Sequence, residues 1–231
     1  MYVIPQPAQA SLAVVGSAER FPVRRIYCVG RNYAAHAREM GNDPDREPPF
    51  FFDKPADCVL DSGAIIPYPS RTTNLHHEVE LVVAIGRAGR NIALADTASH
   101  IWGAAVGVDL TRRDLQDDAK ATRRPWDLSK GFDHSAPIAA LVPIADVPSL
   151  SAGRITLSVN GETRQDADLA DMIWPVADTI ADLSAFVALE PGDLIMTGTP
   201  SGVAAIQQGD TMEASVDGLP PLSVSIGAPL S

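Results

Sequence analysis

Short apolar runs, each closed by glycine, proline, asparagine or aspartate, follow one another from Arg24 to the C-terminus, and this punctuation limits the chain to a fold made mainly of strands. The runs at 24–29, 64–66, 78–85, 101–108, 155–159, 162–165, 194–197, 211–216 and 222–226 read as strands, and Asn160-Gly161 between two of them is a two-residue hairpin turn. Three segments have helical character: 33–40, 111–119 and 176–188, the last with Val176, Ile180, Leu183 and Val187 at helical spacing. Seventeen glycines and nineteen prolines are spread along the chain with no repeat and no low-complexity linker, so one continuous unit is expected. Helices are the minority, and Gly-Asp turns at 192–193 and 209–210 argue for a curled sheet or sandwich, mainly β in an α+β sense, over a doubly wound sheet.

The net charge of −11, the absence of a Lys/Arg run and an aromatic content of 6% argue against a nucleic-acid surface. No apolar run approaches the ~20 residues of a membrane helix, and residues 1–10 carry no basic leader, so no membrane partner and a cytoplasmic location are expected. Cys28 and Cys58 stand outside any Cys-x-x-Cys, as suits thiols in a reducing compartment.

Within the run 78–85, two acids interrupt an apolar pattern. Glu78 and Glu80 are spaced i, i+2, which on a strand sends both carboxylates to one face about 6.5–7 Å apart, while Val79, Leu81, Val83 and Ile85 face the other way. Asp109 ends the run 101–108, and Thr111-Arg-Arg-Asp114 has the Thr-x-x-Asp spacing of a helix start, so Asp109 falls where a strand gives way to a helix. Two readings fit: acids facing solvent with Asp109 capping a turn, or an all-oxygen set for a hard cation such as Mg²⁺ or Mn²⁺, which Ca²⁺ would also fit. His76 and His77 lack the His-Glu-x-x-His spacing of a zinc site, and His76 reads as a residue behind the ligands or at the surface.

In the segment 33–40, His36 and Glu39 are spaced i, i+3, between Asn32 as N-cap and Gly41 as stop. A carboxylate beside an imidazole sets its tautomer and favours its protonated form, as a general base for water requires; the same spacing also occurs as a surface pair. So short a helix is marginal in isolation and could order over a ligand.

Six motifs occur in register: Gly30-Arg-Asn-Tyr-Ala-Ala-His-Ala-Arg-Glu39, Phe52-Asp-Lys-Pro55, Asn74-Leu-His-His-Glu-Val-Glu80, Asp109-Leu-Thr-Arg-Arg-Asp-Leu-Gln116, Ser129-Lys-Gly-Phe132 and Thr197-Gly-Thr-Pro-Ser-Gly202. In this order they resemble the fumarylacetoacetate hydrolase family, in its short single-domain branch, and are most similar to members that cleave fumarylpyruvate. The resemblance implies a mixed β-sandwich roll, with residues 24–231 as the catalytic domain, residues 1–23 as an extension packed on it, and a homodimeric assembly. It implies Glu78, Glu80 and Asp109 as ligands of Mg²⁺ or Mn²⁺, His36 and Glu39 as a water-activating dyad, and Lys130 as a catalytic lysine beside the metal. It further implies Arg113, Gln116 and Lys54 as residues lining the substrate site and Thr199 as a contact of the substrate carboxylate.

The implied activity is metal-dependent hydrolysis of the C–C bond of an acylpyruvate, most simply of fumarylpyruvate, a 2,4-diketo acid with a carboxylate at each end, to fumarate and pyruvate in gentisate-type aromatic breakdown. Relatives with the same metal core decarboxylate oxaloacetate or act on other 2-keto diacids, and a non-enzymatic β-sandwich holding a structural Ca²⁺ is the alternative of a different class. Two positions depart from the family pattern. Asp53 is expected to pair with Lys54 and weaken it, and Gly131 stands where alanine or serine is usual. One of Arg112, Arg123 and Arg124 is expected to receive the substrate's distal carboxylate.

Overall fold

The computed structural model describes residues 2–39 and 48–230; the side chains of Ala37 and Glu39, with residues 1, 40–47 and 231, lie outside the described residues. Two sheets face each other across the main core. The larger has the order Phe50–Lys54, Arg25–Gly30, Asp193–Met196, Val79–Ile85, Ile101–Val108, Ala136–Ile138, Val59–Asp61, with Val142–Pro143 also pairing with Ile101–Val108. It is mixed: Asp193–Met196 runs parallel to Arg25–Gly30, and Ala136–Ile138 parallel to Val59–Asp61. The smaller sheet has the order Glu162–Asp168, Arg154–Val159, Thr211–Val216, Leu222–Gly227, Ile65–Pro67.

Alternation decides which residues meet between the sheets. In Arg154–Val159, Ile155, Leu157 and Val159 point inward and join Met212, Ala214, Val216, Leu222, Val224 and Ile226 against Val79, Leu81, Val83 and Ile85 of the larger sheet. Removing the Leu81 side chain from this layer would cost about 2–5 kcal/mol. The other face of the larger sheet carries Ile26, Cys28, Val82, Ala84, Leu194 and Met196, and Leu12, Phe21 and Val23 from the first part of the chain cover it. The strand Val79–Ile85 is therefore buried on both faces, which is why its run is almost wholly apolar.

The hairpin turn lies where the sequence places it, Asn160 and Gly161 both having positive φ (53° and 81°) between Arg154–Val159 and Glu162–Asp168. The α-helices among the described residues are short: α1 (Ala34–Glu39), α2 (Arg113–Thr122), α3 (Asp127–Lys130) and α4 (Val176–Phe186). Among the described residues no helix is long and apolar enough to cross a membrane.

Several boundaries differ from the sequence reading. The strand expected from 78 begins at Val79, because Leu75–His77 leaves the larger sheet to pair with Thr111–Arg112 and Ala204–Ile206, putting Glu78 at the junction of two sheets. The helix expected from Thr111 begins at Arg113. Thr111 bridges to His76, and Asp114 accepts hydrogen bonds from Thr72 Oγ1 (2.6 Å) and the Thr73 backbone N–H (2.9 Å) rather than closing a capping box. Asn32 ties α1 to the rest of the fold: its amide donates to Trp174 O (2.9 Å) and Thr197 O (2.7 Å) and accepts from Trp174 N (2.7 Å). Met40 and Gly41, read as the end of the first helix, lie outside the described residues.

Candidate active site and metal centre

The junction at Glu78 gives the site its geometry. Val79 pairs with Val108, so the residues flanking the pair, Glu78 and Asp109, are neighbours, and the Asp109 N–H donates to Glu78 O (2.8 Å). Glu80 follows on the same face as Glu78. Ligand atoms of Glu78, Glu80 and Asp109 all lie within 4.8 Å of one another, and all three residues are buried.

Three cations hold these acids from behind and from the side. Lys130, at the C-terminal end of α3, donates to Glu78 Oε2 (2.7 Å) and Asp109 Oδ2 (2.6 Å). Arg113 pairs with Glu78 Oε1, and Lys54 Nζ lies 2.8 Å from Asp109 Oδ1. Burial pushes the Glu78 carboxyl up, but Lys130, Arg113 and His36 overcome it and hold it well below the ordinary carboxylate range. Burial also opposes the charge on Lys130, and Asp109 and Glu78 more than restore it, raising its ammonium above the usual value. Glu80 is different. Its carboxylate accepts from the Gly198 N–H (2.7 Å), and burial together with the charges of Asp109 and Glu78 pushes its carboxyl well up. A buried carboxylate facing two like charges is what a divalent cation would relieve, and three clustered carboxylates with no thiolate suit Mg²⁺ or Mn²⁺. The donor set therefore fits such an ion.

Two glycines let the parts approach. Gly198 has φ +96°, and a Cβ there would stand 2.6 Å from Asn32 Cβ; Gly131 after Lys130 would put a Cβ 2.8 Å from Pro55 Cδ. The departure at Gly131 thus permits close packing of the Lys130 segment on Pro55, just after the strand Phe50–Lys54.

A cavity of roughly 230 Å³ opens in front of Glu78 and Glu80. His36, Arg113, Gln116, Lys130 and Thr199 line it, together with Arg31, Phe52, Lys120 and Trp126, which the sequence reading did not single out. His36 is buried in this wall. The side chain of Glu39, its expected partner, lies outside the described residues. Arg113, Gln116 and Lys120 fall at i, i+3 and i+7 of α2, so one helix face supplies all three. Gln116 accepts from Arg113 Nη1 through Oε1, which turns its NH₂ away from Arg113. His76 is half-buried behind this face. Its Nε2 meets Asn74 Oδ1 (2.9 Å), its Nδ1 accepts from Arg113 Nε (3.4 Å), and burial with the Arg113 charge lowers it to about 4, so it stays neutral.

Three expectations are corrected. Lys54 is fully buried behind Asp109 and does not line the cavity; its ammonium also donates to Leu110 O (3.1 Å), Ser135 Oγ (3.0 Å) and Lys130 O. Asp53 does not pair with it, because neighbours on the strand Phe50–Lys54 point to opposite faces and Asp53 faces outward. Arg112, Arg123 and Arg124 lie off the cavity wall: Arg112 stacks on Phe132 (4.4 Å to the ring centre) and donates to Leu128 O (3.2 Å), and the other two are exposed beyond α2.

Gln165 was also missed. It is fully buried and bonds both Val79 N (3.0 Å) and Thr199 Oγ1 (2.8 Å), linking the smaller sheet to the site. The only sequence signal for it was a polar residue falling inward on an otherwise polar strand.

Residues 25–226 match the fumarylacetoacetate (FAA) hydrolase C-terminal family. The chain belongs to the fumarylacetoacetate hydrolase family. The crystal structure of fumarylpyruvate hydrolase from Pseudomonas aeruginosa, in complex with Mn²⁺ and pyruvate, superposes with a TM-score of 0.96 at 51% identity, covering 99% of this chain and 100% of that one. A fumarylpyruvate hydrolase of Ralstonia sp. is 42% identical over 190 residues, 81% of this chain and 98% of that protein. A mitochondrial oxaloacetate tautomerase of Rattus norvegicus is 42% identical over 196 residues, 85% of this chain and 88% of that protein. Strand-rich architecture and curled sheet accord with membership of this family.

Proposed function

We propose that this chain hydrolyses the C–C bond of an acylpyruvate, with fumarylpyruvate as the favoured substrate and fumarate and pyruvate as products, in gentisate-type aromatic breakdown. The observation that carries this reading is the clustering of Glu78, Glu80 and Asp109, with ligand atoms within 4.8 Å of one another, beside a cavity that Glu78, Glu80 and His36 line. Glu78, Glu80 and Asp109 would hold Mg²⁺ or Mn²⁺, which when bound supplies Lewis acidity at the substrate's carboxylate and 2-keto oxygen.

The protein's own groups do the rest. His36, with Glu39, takes a proton from water so that hydroxide equivalents reach the distal carbonyl carbon, and the same imidazole returns a proton to the departing pyruvate carbon. Gln116, turned by Arg113, offers its NH₂ to the oxyanion that forms, and Lys130 keeps a positive charge within reach of it. Thr199 meets the proximal carboxylate. Lys54 acts behind the scene of reaction by fixing Asp109. Lys120, half-buried in the cavity wall and 5.5 Å from the Trp126 ring centre, receives the distal carboxylate. The family resemblance supports a homodimer, and two buried free cysteines are compatible with the cytoplasm.

The test is to strip the protein with EDTA, restore Mg²⁺ or Mn²⁺, and follow loss of the enol absorbance of fumarylpyruvate beside acetylpyruvate and oxaloacetate. Metal-dependent formation of pyruvate and fumarate, lowered 10²- to 10⁴-fold in His36→Ala with metal binding intact, is expected. Turnover of oxaloacetate alone would assign the chain to the decarboxylating or tautomerising relatives, and no turnover with metal bound would leave a binding module.

A further inference from the structure

Gln165 lies in the strand Glu162–Asp168, on the sheet that carries no metal ligand, and every hydrogen-bonding direction of its amide is occupied. Oε1 accepts from Val79 N (3.0 Å) and lies 3.0 Å from His77 Nδ1; Nε2 donates to Pro200 O (2.9 Å) and to Thr199 Oγ1 (2.8 Å). Backbone groups set this orientation. The Val79 N–H can only donate and the Pro200 carbonyl can only accept, so the amide oxygen must face Val79 and the nitrogen must face Pro200.

Two consequences follow for its neighbours. His77 meets an acceptor oxygen and so carries its proton on Nδ1; its Nε2 is buried with no hydrogen-bond partner among the described residues. Thr199 receives an N–H on its oxygen and still has its own proton to give. No described residue accepts that proton, and Thr199, 3% exposed, lines the cavity.

We propose that Gln165 is a positioning residue that sets the polarity of Thr199, holding its hydroxyl as a hydrogen-bond donor directed into the cavity toward a carboxylate oxygen of the ligand. This rests on the reading above that Thr199 meets the substrate's proximal carboxylate. A threonine left without an external donor would be free to turn its proton onto a protein carbonyl; the Gln165 amide, already facing Pro200 O and Thr199 Oγ1 with both N–H groups, removes that choice. Its own geometry is in turn fixed by Val79, one residue from each of Glu78 and Glu80, so the hydroxyl's direction and the ligand positions share one strand.

The experiment measures pyruvate binding to the Mg²⁺-loaded protein by calorimetry for the wild type, Gln165→Met, Thr199→Val and the double variant, with thermal melts and Mg²⁺ titrations alongside. Gln165→Met and Thr199→Val are each expected to weaken pyruvate about tenfold at unchanged Mg²⁺ affinity, and the double variant is expected to bind no worse than Thr199→Val alone. In ¹⁵N-histidine spectra His77 is expected to carry its proton on Nδ1 in the wild type and to lose that fixed tautomer in Gln165→Met. Additive losses, wild-type pyruvate affinity in Gln165→Met, or a His77 proton on Nε2 would each overturn the proposal. Its failure is distinct from failure of the hydrolase reading. Fumarylpyruvate turnover with a pyruvate affinity indifferent to Thr199 would overturn only the proposal, whereas the non-additive pattern without turnover would overturn only the hydrolase assignment.

Discussion

Lys54 Nζ stands 2.8 Å from Asp109 Oδ1, with both side chains fully excluded from solvent. An ammonium placed behind a metal ligand gives the buried carboxylate of Asp109 an opposite charge at close range. Replacing Lys54 by Met leaves that charge poorly compensated, and a destabilisation of about 3–5 kcal/mol is expected in urea unfolding without metal. Saturating Mn²⁺ should recover a large part of it, since the ion supplies the missing charge. An equal loss with and without Mn²⁺ would show that Lys54 serves packing alone.

Glu80 predicts a proton linkage. Burial, Asp109 and Glu78 raise its carboxyl, so the metal-free protein keeps a proton there at pH values above the ordinary carboxylate range, and a cation must displace it. Mg²⁺ or Mn²⁺ affinity should therefore climb as pH rises through the range in which Glu80 titrates and level off above it. Calorimetry in two buffers of different ionisation enthalpy should register proton release on binding, and Glu80→Gln should abolish that release. Identical heats in both buffers would contradict the linkage.

The proposed contact of Lys120 with the distal carboxylate predicts a difference between substrates. Lys120→Met should raise KM for fumarylpyruvate about tenfold, equivalent to about 1.4 kcal/mol, and leave acetylpyruvate, which has no distal carboxylate, unchanged. The triple change of Arg112, Arg123 and Arg124 to Met should alter neither, because these side chains lie off the cavity wall. Steady-state kinetics on both substrates decides the matter, and equal effects of Lys120→Met on both would remove it from that role.

Gly131→Ala tests the packing behind Lys130. A Cβ there meets the ring of Pro55 at 2.8 Å and Asp127 O at 3.1 Å, neither of which is the end of a flexible side chain. About 1–3 kcal/mol of destabilisation is expected, with weaker Mn²⁺ binding as Lys130 shifts against Glu78 and Asp109. Unchanged unfolding midpoint and metal affinity would mean that the segment at Pro55 yields freely.

Glu78, Glu80 and Asp109 were legible because strand alternation is local: acids two residues apart share a face whatever the rest of the chain does, and an uncharged run of eight residues, seven of them buried, must end near its first charge. The Asn160-Gly161 turn was legible for the same reason. Lys54 was not, because a five-residue strand with Asp53 beside Lys54 gives no hint of which charge faces inward until Arg25–Gly30 pairs with it. The start of α2 was misread because Thr111 joins a three-stranded ribbon whose other members are about 35 and 93 residues away in sequence, a pairing no short window contains. Arg112 was read as a cation for the site and Lys120 was passed over; the helix phase that sends Lys120 toward Trp126 and the stacking that holds Arg112 on Phe132 belong to the packed state. Gln165 needed the docking of one sheet on the other.

The backbone bond from Asp109 N–H to Glu78 O ties two of the three acids together through the ladder itself. Their spacing is thereby inherited from strand pairing, and point substitutions along Ile101–Val108 can alter packing without moving Asp109 to another face. Insertion or deletion of a single residue in that strand does the opposite: it preserves every side chain of the centre and rotates Asp109 out of it. Length, more than composition, is what this strand must keep.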